Sequence, residues 1–212
     1  MKVQLQKVLP AEIERRSFEI IGEELGGIKL PADQEAVVKR VIHTTADFDY
    51  ARTLCFSDGA VEQGIAALRE GARIVTDTQM ARAGISKPTL SVLGGEALCY
   101  MADEEVARAA KENGTTRAVA SMEKAAVLDG PLIFAIGNAP TALVRLYELI
   151  LEGKVAPRLV IGVPVGFVNV VESKELIRES GVPYIVARGR KGGSNVAAAI
   201  CNALLYQAKP RE

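Results

Sequence analysis

The chain has few aromatic residues and no net charge. Tryptophan is absent from its 212 residues, and aromatic residues make up 5% of the total. Lysine plus arginine equals aspartate plus glutamate, at 26 each. A stacking platform for single-stranded nucleic acid needs aromatic side chains, and attraction to a duplex or an anionic membrane needs a basic field. The composition therefore argues against nucleic-acid and membrane partners.

Cysteine is also scarce. Cys55, Cys99 and Cys201 lie far apart in the sequence, and no CxxC pair is present. This pattern supports neither a disulfide framework nor a zinc knuckle, and we expect Cys99 and Cys201, which stand among apolar residues, to be buried thiols. No apolar run reaches the roughly 18 residues of a membrane span, and the N-terminal residues show no apolar signal region. We therefore expect a cytoplasmic protein.

Several motifs of well-known enzyme classes are missing. The chain contains no GxxxxGK[ST] phosphate loop, no GxGxxG after a predicted strand and no GxSxG nucleophile elbow. Its aspartates are scattered without the spacing of a metal site, so we expect no metal. These absences leave proton chemistry on a side chain as the simplest catalytic option.

His43 is the only histidine in the chain. It is followed at once by Thr44, Thr45, Asp47 and Asp49. Imidazole is the side chain that gives and takes protons most readily near neutral pH, so any histidine-based proton transfer involves this residue. Taken alone, a histidine at the end of an amphipathic helix is more often a surface residue that interacts with the helix dipole. Both interpretations stay open at this point.

Hydrophobic patterning predicts an α/β fold. Strand–loop–helix units recur at roughly 25–30 residues, which is typical of a doubly wound, largely parallel sheet flanked by helices. Two helices, at residues 10–25 and 31–43, precede any predicted strand and form an N-terminal arm or flanking layer that carries His43. The second helix is expected to pack through an apolar face of Val37, Val38, Val41 and Ile42. We expect one domain over residues 1–212. The predicted strands are residues 72–76, 117–120, 131–136, 158–163 and 182–186.

Ligands of open α/β sheets bind beyond the carboxyl ends of the strands. Small and polar residues fill the loops expected there, although most loops are simple connectors and Asn138 and Ser194 are also suited to capping helices. The loops are residues 76–80, 137–141, 164–169 and 188–195.

The last of these loops carries the strongest chemical signal. It contains Arg188, Arg190 and Lys191 ahead of two glycines and a predicted helix. Cations beside a helix N-terminus form a site for a phosphate or a carboxylate. Arg40 and Arg117 are further candidate partners of a carboxylate, or else solvated surface arginines. The residues alone thus indicate an α/β enzyme, such as an isomerase, that acts on an anionic molecule.

Five segments together resemble the precorrin-8X methylmutase family of cobalamin biosynthesis. The resemblance implies a homodimeric α/β enzyme without a cofactor. Such an enzyme moves a methyl group from ring position 11 to ring position 12 of its substrate and yields hydrogenobyrinate, or cobyrinate when cobalt is present. The segments are RVIHTTADFDYA (40–51), TDTQM (76–80), IGNAPTAL (136–143), IGVPVGFVNVVESKE (161–175) and PYIVARGRKGGSNVAAAICNALL (183–205).

The same resemblance implies roles for individual residues. His43 matches the proton donor and acceptor, acting through a pyrrole nitrogen of the ring that is rearranged. Ser17 and Arg40 match residues that contact substrate, and Arg40 lies one helical turn before His43 on the same face. The implied substrate is a polycarboxylate corrinoid, which needs distributed cations and hydrogen-bond donors, among them the N–H groups of the helices that Asn138 and Ser194 are expected to cap. The expected substrate-binding residues are Ser17, Arg40, Thr78, Met80, Arg117, Asn138, Arg188, Arg190, Lys191, Ser194 and Asn195.

Two other functions stay open at the level of sequence. A corrinoid-binding carrier would share the anion-binding loops but would not need His43. A sugar-phosphate isomerase or an aldolase-type enzyme would need a lysine or metal electrophile near the strand ends, and the sequence patterns indicate neither.

Overall fold

The computed structural model describes residue 9 and residues 12–210. Pro10, the predicted first residue of the N-terminal helix, lies outside the described residues. Six strands and eleven helices are present within these limits. The strands are β1 (Leu54–Phe56), β2 (Arg73–Thr76), β3 (Ala97–Leu98), β4 (Leu132–Ile136), β5 (Leu159–Gly162) and β6 (Tyr184–Ala187).

The helices fill both faces of the sheet and the N-terminal region. They are α1 (Ile13–Leu25), α2 (Glu35–Thr45), α3 (Tyr50–Thr53), α4 (Ala60–Arg69), α5 (Gln79–Gly84), α6 (Lys87–Val92), α7 (Glu104–Glu112), α8 (Arg117–Ala126), α9 (Pro140–Leu151), α10 (Val170–Arg178) and α11 (Ser194–Ala208).

The strands form one sheet in the order β1-β6-β5-β4-β2-β3. All neighbours pair in parallel except β1, which is antiparallel to β6. The chain reverses its direction of winding between β2 and β4, which is the position where sheets of this kind bind ligands. The predicted doubly wound, largely parallel sheet is confirmed.

The antiparallel edge strand determines where the N-terminal helices lie. Leu54 at the start of β1 pairs with Ala187 at the carboxyl end of β6. Because β1 runs against the other strands, the segment that precedes it arrives at the carboxyl edge of the sheet. The end of α2, and His43 with it, is thereby brought to the edge where the four loops meet.

Alternating strand residues build two separate cores. In β4, Ile133 and Ala135 face a cluster formed with α1, α2, α4 and α11, whereas Phe134 and Ile136 face a cluster formed with α8, α9 and α10. Successive strand residues point to opposite faces, and a parallel sheet covered on both sides needs apolar residues at every position. All five residues of β4 are accordingly buried.

The N-terminal helices form a flanking layer. The predicted apolar face of α2 is confirmed, since Val37, Val38, Val41 and Ile42 are all buried. This face packs against α11, whose alanines allow a close approach. The burial of apolar side chains therefore attaches α2 to the domain core and holds His43 in place.

One predicted strand is wrong. Residues 117–120 do not extend; they begin α8, which continues without interruption to Ala126. Thr116 caps this helix by accepting a hydrogen bond from the Val119 N–H at 3.2 Å. Ala118, Met122 and Ala125 recur at helical spacing and are buried together, so the short apolar run is the inner face of a helix.

Candidate active site

His43 lies in the last turn of α2 with its side chain exposed. Its ring packs against Phe18 of α1, with centroids 5.4 Å apart and planes tilted by 34°. The helix ends just beyond it because Ala46 adopts a left-handed conformation (φ 53°) and returns its N–H to the Ile42 carbonyl at 2.7 Å. One face of the imidazole is thus supported by an aromatic ring while the side chain stays accessible.

Arg40 lies one turn before His43 and is held on three sides. Its guanidinium carbon is 4.8 Å from the ring centre of Phe18 and 5.1 Å from that of Tyr206. Its Nη2 donates to Glu14 at 2.5 Å. Stacking and ion pairing together restrict the side chain, of which 16% is exposed.

Ser17, the neighbour of Phe18, donates its hydroxyl proton to the Ile13 carbonyl at 2.9 Å within α1.

A cavity of about 300 Å³ opens beside the imidazole. The structure thus brings together three of the residues singled out in the sequence, His43, Arg40 and Asn195, although α2 and the start of α11 are remote in the chain. The residues that line this cavity include Arg40, His43, Thr44, Gly84, Asn195 and Asn202.

Asp77 is a structural centre that the sequence did not reveal. It follows β2 and is completely buried. One carboxylate oxygen accepts the N–H of Gly137 at 2.9 Å, and the other accepts those of Asn138 at 2.8 Å and Ala139 at 2.6 Å. Burial raises the pKa of Asp77, and the three backbone donors act in the opposite direction.

This arrangement changes the interpretation of the 137–139 loop. We expected the Asn138 side chain to cap α9, but the helix begins after Ala139 and receives no side-chain cap. The N–H groups expected to face a ligand instead point at the Asp77 carboxylate. The Asn138 side chain is exposed and stays available.

The loops after β2, β4 and β6 meet at one junction. Thr78 caps α5 by accepting the Ala81 N–H at 3.0 Å, and its hydroxyl is 2.7 Å from that of Ser194. Gly137 lies against the same place, since a Cβ there would come within 2.7 Å of the Ser194 Cα. The expected cap of α11 by Ser194 is wrong, because Gly193 occupies the N-cap and Ser194 is the first helical residue.

Among the loop cations, Lys191 is engaged within the protein. Its ammonium group is 2.6 Å from the carboxylates of both Asp47 and Asp49, in the turn beyond His43. These hydrogen bonds raise the pKa of Lys191 and lower that of Asp47. Arg188 donates its backbone N–H to the Thr53 carbonyl at 2.8 Å. The cationic loop is therefore attached directly to the segment that carries His43.

The two arginines of this loop differ in their partners. The Nε of Arg188 is 4.0 Å from Glu175, at the limit of an ion pair. Arg190 is exposed and stacks on Phe167 at 5.5 Å, and no carboxylate pairs with it in the part of the chain that the structure describes. Arg190 is therefore the better placed of the two for a ligand carboxylate.

Lys174 is a second residue that sequence reasoning missed. It is completely buried, and its ammonium group donates to the carbonyls of Gly189 at 2.7 Å and Lys191 at 2.9 Å. Burial lowers its pKa to about 8. A lysine at an interior helical position was the only available signal, because its partners are neither adjacent nor charged side chains.

The remaining predicted residues lie away from the imidazole. Met80 is 69% exposed on α5. Arg117 is exposed at the first position of α8, and the hydrogen bond of 3.3 Å between Thr116 and Thr141 places that helix start beside α9. Neither residue lines the cavity that contains His43.

Residue 9 and residues 12–210 contain neither a metal-binding cluster nor a membrane-spanning helix. No group of three or more histidine, cysteine, aspartate and glutamate side chains is arranged to hold a metal ion there. None of the helices in this part of the chain has both the length and the apolar composition needed to cross a membrane.

The fold and the cavity define an α/β protein in which one imidazole lines a cavity at the carboxyl edge of the sheet. The family model described as precorrin-8X methylmutase matches residues 12–207. The cobalt-precorrin-8 methylmutase of Salmonella typhimurium is 49% identical over 203 residues, covering 93% of this chain and 95% of its own length. The precorrin-8X methylmutase of Pseudomonas aeruginosa is 41% identical over 195 residues, covering 91% and 93%.

A solved structure agrees with these relatives. The crystal structure of precorrin-8X methyl mutase from Thermus thermophilus superposes with a TM-score of 0.85 at 42% identity, covering 93% of this chain and 97% of that one. The chain belongs to the precorrin-8X methylmutase family. It is thus an isomerase of corrin synthesis, and the family resemblance stated from the five sequence segments is confirmed.

Proposed function

We propose that this chain moves a methyl group from ring position 11 to ring position 12 of precorrin-8X or of its cobalt form. The products are hydrogenobyrinate and cobyrinate, respectively. The observation that carries the proposal is the position of His43 on the wall of a cavity shared with Arg40 and Asn195. Because the migration is intramolecular, the protein supplies no nucleophile. It has to bind the macrocycle and move a proton so that the transition state is favoured.

In this proposal His43 exchanges a proton with a pyrrole nitrogen of the ring that is rearranged. Phe18 packs against the imidazole, which limits the rotation of the His43 ring beside the cavity. The cavity volume of about 300 Å³ is at the lower end of the range of about 300–1,000 Å³ for ligand pockets. We infer that it takes one edge of the macrocycle, while the rest lies over the exposed loops.

The carboxylate arms of the substrate meet the loops at the edge of the sheet. Arg190 and Arg188 are the proposed ion-pair partners, and Arg40 contributes N–H donors beyond the one bound to Glu14, because a guanidinium carries five. Lys191 contributes mainly by holding the loop to Asp47 and Asp49. The other proposed contacts are Ser17, Thr78, Met80, Arg117, Asn138, Ser194 and Asn195.

We infer that the whole chain acts as one domain and works as a homodimer in the cytoplasm. The packing of α1 and α2 into the same core as α11 supports the single domain. Val165, Phe167 and Val168 are 48%, 81% and 77% exposed beside Arg190, and an apolar loop of this kind is suited to cover by a second copy or by the macrocycle. Light scattering after gel filtration distinguishes a dimer from a monomer.

The structure also bears on the aldolase-type alternative. Lys174 lies near the strand ends with a lowered pKa, which is the property expected of a lysine that forms a Schiff base. Its side chain is nevertheless completely buried, and its ammonium group is occupied by two backbone carbonyls. A carbonyl substrate has no route to this nitrogen, so this lysine does not support the alternative.

The test is the absorption spectrum of precorrin-8X, and of its cobalt form, mixed with the wild type, with His43→Ala and with His43→Gln. We expect conversion by the wild type and a loss of rate of about 10²–10⁴-fold in both variants, because neither provides a general acid or base. His43→Gln is the matched control, since it keeps a polar side chain of similar length.

The outcomes separate the candidate functions. Binding without conversion by the variants supports the proposed role of His43. Equal conversion by all three proteins removes His43 from the mechanism. Binding without conversion by the wild type itself indicates a corrinoid carrier.

A further inference from the structure

The buried ammonium group of Lys174 is stabilised by groups outside its own helix, α10. It is the only completely buried lysine among the described residues, and burial of an ammonium group without compensation is costly. Its hydrogen bonds to the Gly189 and Lys191 carbonyls provide that compensation. Both acceptors belong to the cationic loop rather than to a helix or a strand. The buried charge therefore determines the conformation of that loop.

The geometry of the peptide bond shows the consequence. In a planar trans peptide, the C=O and the following N–H point in opposite directions. The carbonyls of Gly189 and Lys191 point at Lys174, so the N–H groups of Arg190 and Gly192 point away from it. In the part of the chain that the structure describes, neither N–H donates to a protein acceptor. Two backbone donors are thus left on the outer side of the loop.

Other contacts hold the loop in this conformation. The Gly193 N–H donates to the Val163 carbonyl at 2.8 Å, and the Gly166 N–H donates to the Arg190 carbonyl at 3.1 Å. At Gly192 the loop is pressed against the exit of β5, where a Cβ would lie 2.1 Å from the Val163 oxygen. The outward donors therefore lie in a loop that several contacts hold in place, and the same loop carries the exposed guanidinium of Arg190.

We propose that Lys174 is a positioning residue that turns the N–H groups of Arg190 and Gly192 outward, so that these two N–H groups and the Arg190 guanidinium bind one carboxylate arm of the substrate. This inference rests on the proposed function, because it assigns the loop to a polycarboxylate ligand. Lys174 itself does not touch the substrate. Its charge acts from behind the loop and through the two carbonyls that it holds.

The first test does not depend on turnover. Propane-1,2,3-tricarboxylate is titrated into the full-length protein labelled with ¹⁵N, and the amide resonances are followed. We expect the Arg190 and Gly192 amides to shift in the wild type, and the apparent affinity to fall about tenfold or more in Lys174→Met, because charge-assisted hydrogen bonds carry binding of this kind. Lys174→Arg, which keeps a charged donor, should recover most of the response.

The control is Lys124→Met, which removes a lysine whose partners are Asp103 and Glu105, remote from the loop. It should bind like the wild type. Wild-type Arg190 and Gly192 amides that do not respond to the tricarboxylate overturn the proposal, whether or not Lys174→Met folds. An unchanged response in a folded Lys174→Met protein overturns it as well.

The second test uses the methyl migration itself. Loss of a contact made equally in the ground state and the transition state raises KM and leaves kcat unchanged. We expect KM to rise about tenfold in Lys174→Met with kcat within about twofold of the wild type. A fall in kcat at unchanged KM contradicts the positioning role. Absence of turnover in the wild type refutes the proposed function instead, and the tricarboxylate titration still decides the role of Lys174.

Discussion

Two loops at the carboxyl edge of the sheet are held by buried charges of opposite sign. The Asp77 carboxylate accepts hydrogen bonds from the N–H groups of the 137–139 loop, whereas the Lys174 ammonium group donates hydrogen bonds to carbonyls of the 188–193 loop. In each peptide group the C=O and the N–H point in opposite directions. The 137–139 loop therefore directs carbonyls away from Asp77, and the 188–193 loop directs N–H groups away from Lys174. The same edge thus offers hydrogen-bond acceptors in one place and donors in another.

Under the proposed function, this difference gives a chain without net charge a way to bind a polyanion. No global basic field is needed when one loop combines outward N–H groups with exposed arginines. The start of α9 looks like an anion site in the sequence but is already neutralised from inside by Asp77. A helix N-terminus is available to a ligand only if no buried carboxylate has taken its donors.

Removing the Asp77 carboxylate should have the largest effect of these substitutions on the stability of the fold. Asp77→Ala leaves the N–H groups of Gly137, Asn138 and Ala139 without their acceptor in a buried site, and we expect the free energy of unfolding to fall by about 3 kcal/mol or more. Urea denaturation measures this loss. Asp77→Asn, which keeps one acceptor oxygen and the same volume, should lose less. A decrease below about 1 kcal/mol for Asp77→Ala would show that water replaces the carboxylate easily.

The buried Lys174 should make the free energy of unfolding depend on pH. Burial lowers the pKa of Lys174 to about 8, compared with about 10.4 in an unfolded chain. Between these values the unfolded state binds more protons, so the free energy of unfolding should rise with pH by at most about 1.4 kcal/mol per pH unit. This gain in unfolding free energy is complete above the pKa of the unfolded chain and is lost as the pH falls towards 8.

The measurement is the difference in unfolding free energy between the wild type and Lys174→Met at pH 7, 9 and 10.5. The neighbouring titratable groups are the same in both proteins, so subtraction removes most of their contribution; they are Glu175 and Arg178 on α10, Tyr184 on β6 and Arg188 in the loop. A difference that does not change with pH would mean that Lys174 keeps its ordinary pKa in the folded protein.

Within the donor loop, the two arginines should differ by a smaller amount. Arg190 has no carboxylate partner in the described residues, whereas Arg188 has Glu175 at 4.0 Å. We expect Arg190→Ala to weaken binding of cobyrinate about tenfold and Arg188→Ala about threefold, because a cation already paired gains less from a new anion. Absorption titration at constant ionic strength measures both affinities. Equal losses would indicate that loop charge alone, without geometry, determines binding.

Much of the fold could be predicted because its signals are local. The buried strand at residues 131–136 and the apolar face of α2 follow from patterns that span a few residues, and both are confirmed. The failures have physical reasons of their own. Residues 117–120 are apolar enough for a strand, but the Thr116 cap and the tertiary contacts of Met122 favour a helix. The three residues of β1 are too few to show a period.

The candidate site divides in the same way. The sequence indicated His43 because it is the only histidine, and it indicated the 188–195 loop because cations precede glycines. It did not indicate Asp77 or Lys174, whose partners lie 60 and 15 residues or more away and are backbone atoms. The pairing of Lys191 with Asp47 across 144 residues was equally hidden.

The sequence by itself therefore determined the class of fold, the family and the single imidazole, since each depends on residue identity and short-range spacing. Only the tertiary structure decided which N–H groups are free to meet a ligand. That outcome depends on which buried side chain captures the opposite end of each peptide group. Such partners are set by the pairing of β2 with β4, which brings Asp77 to the 137–139 loop, and by the position of α10 beside the loop that follows β6, and neither leaves a local trace in the sequence.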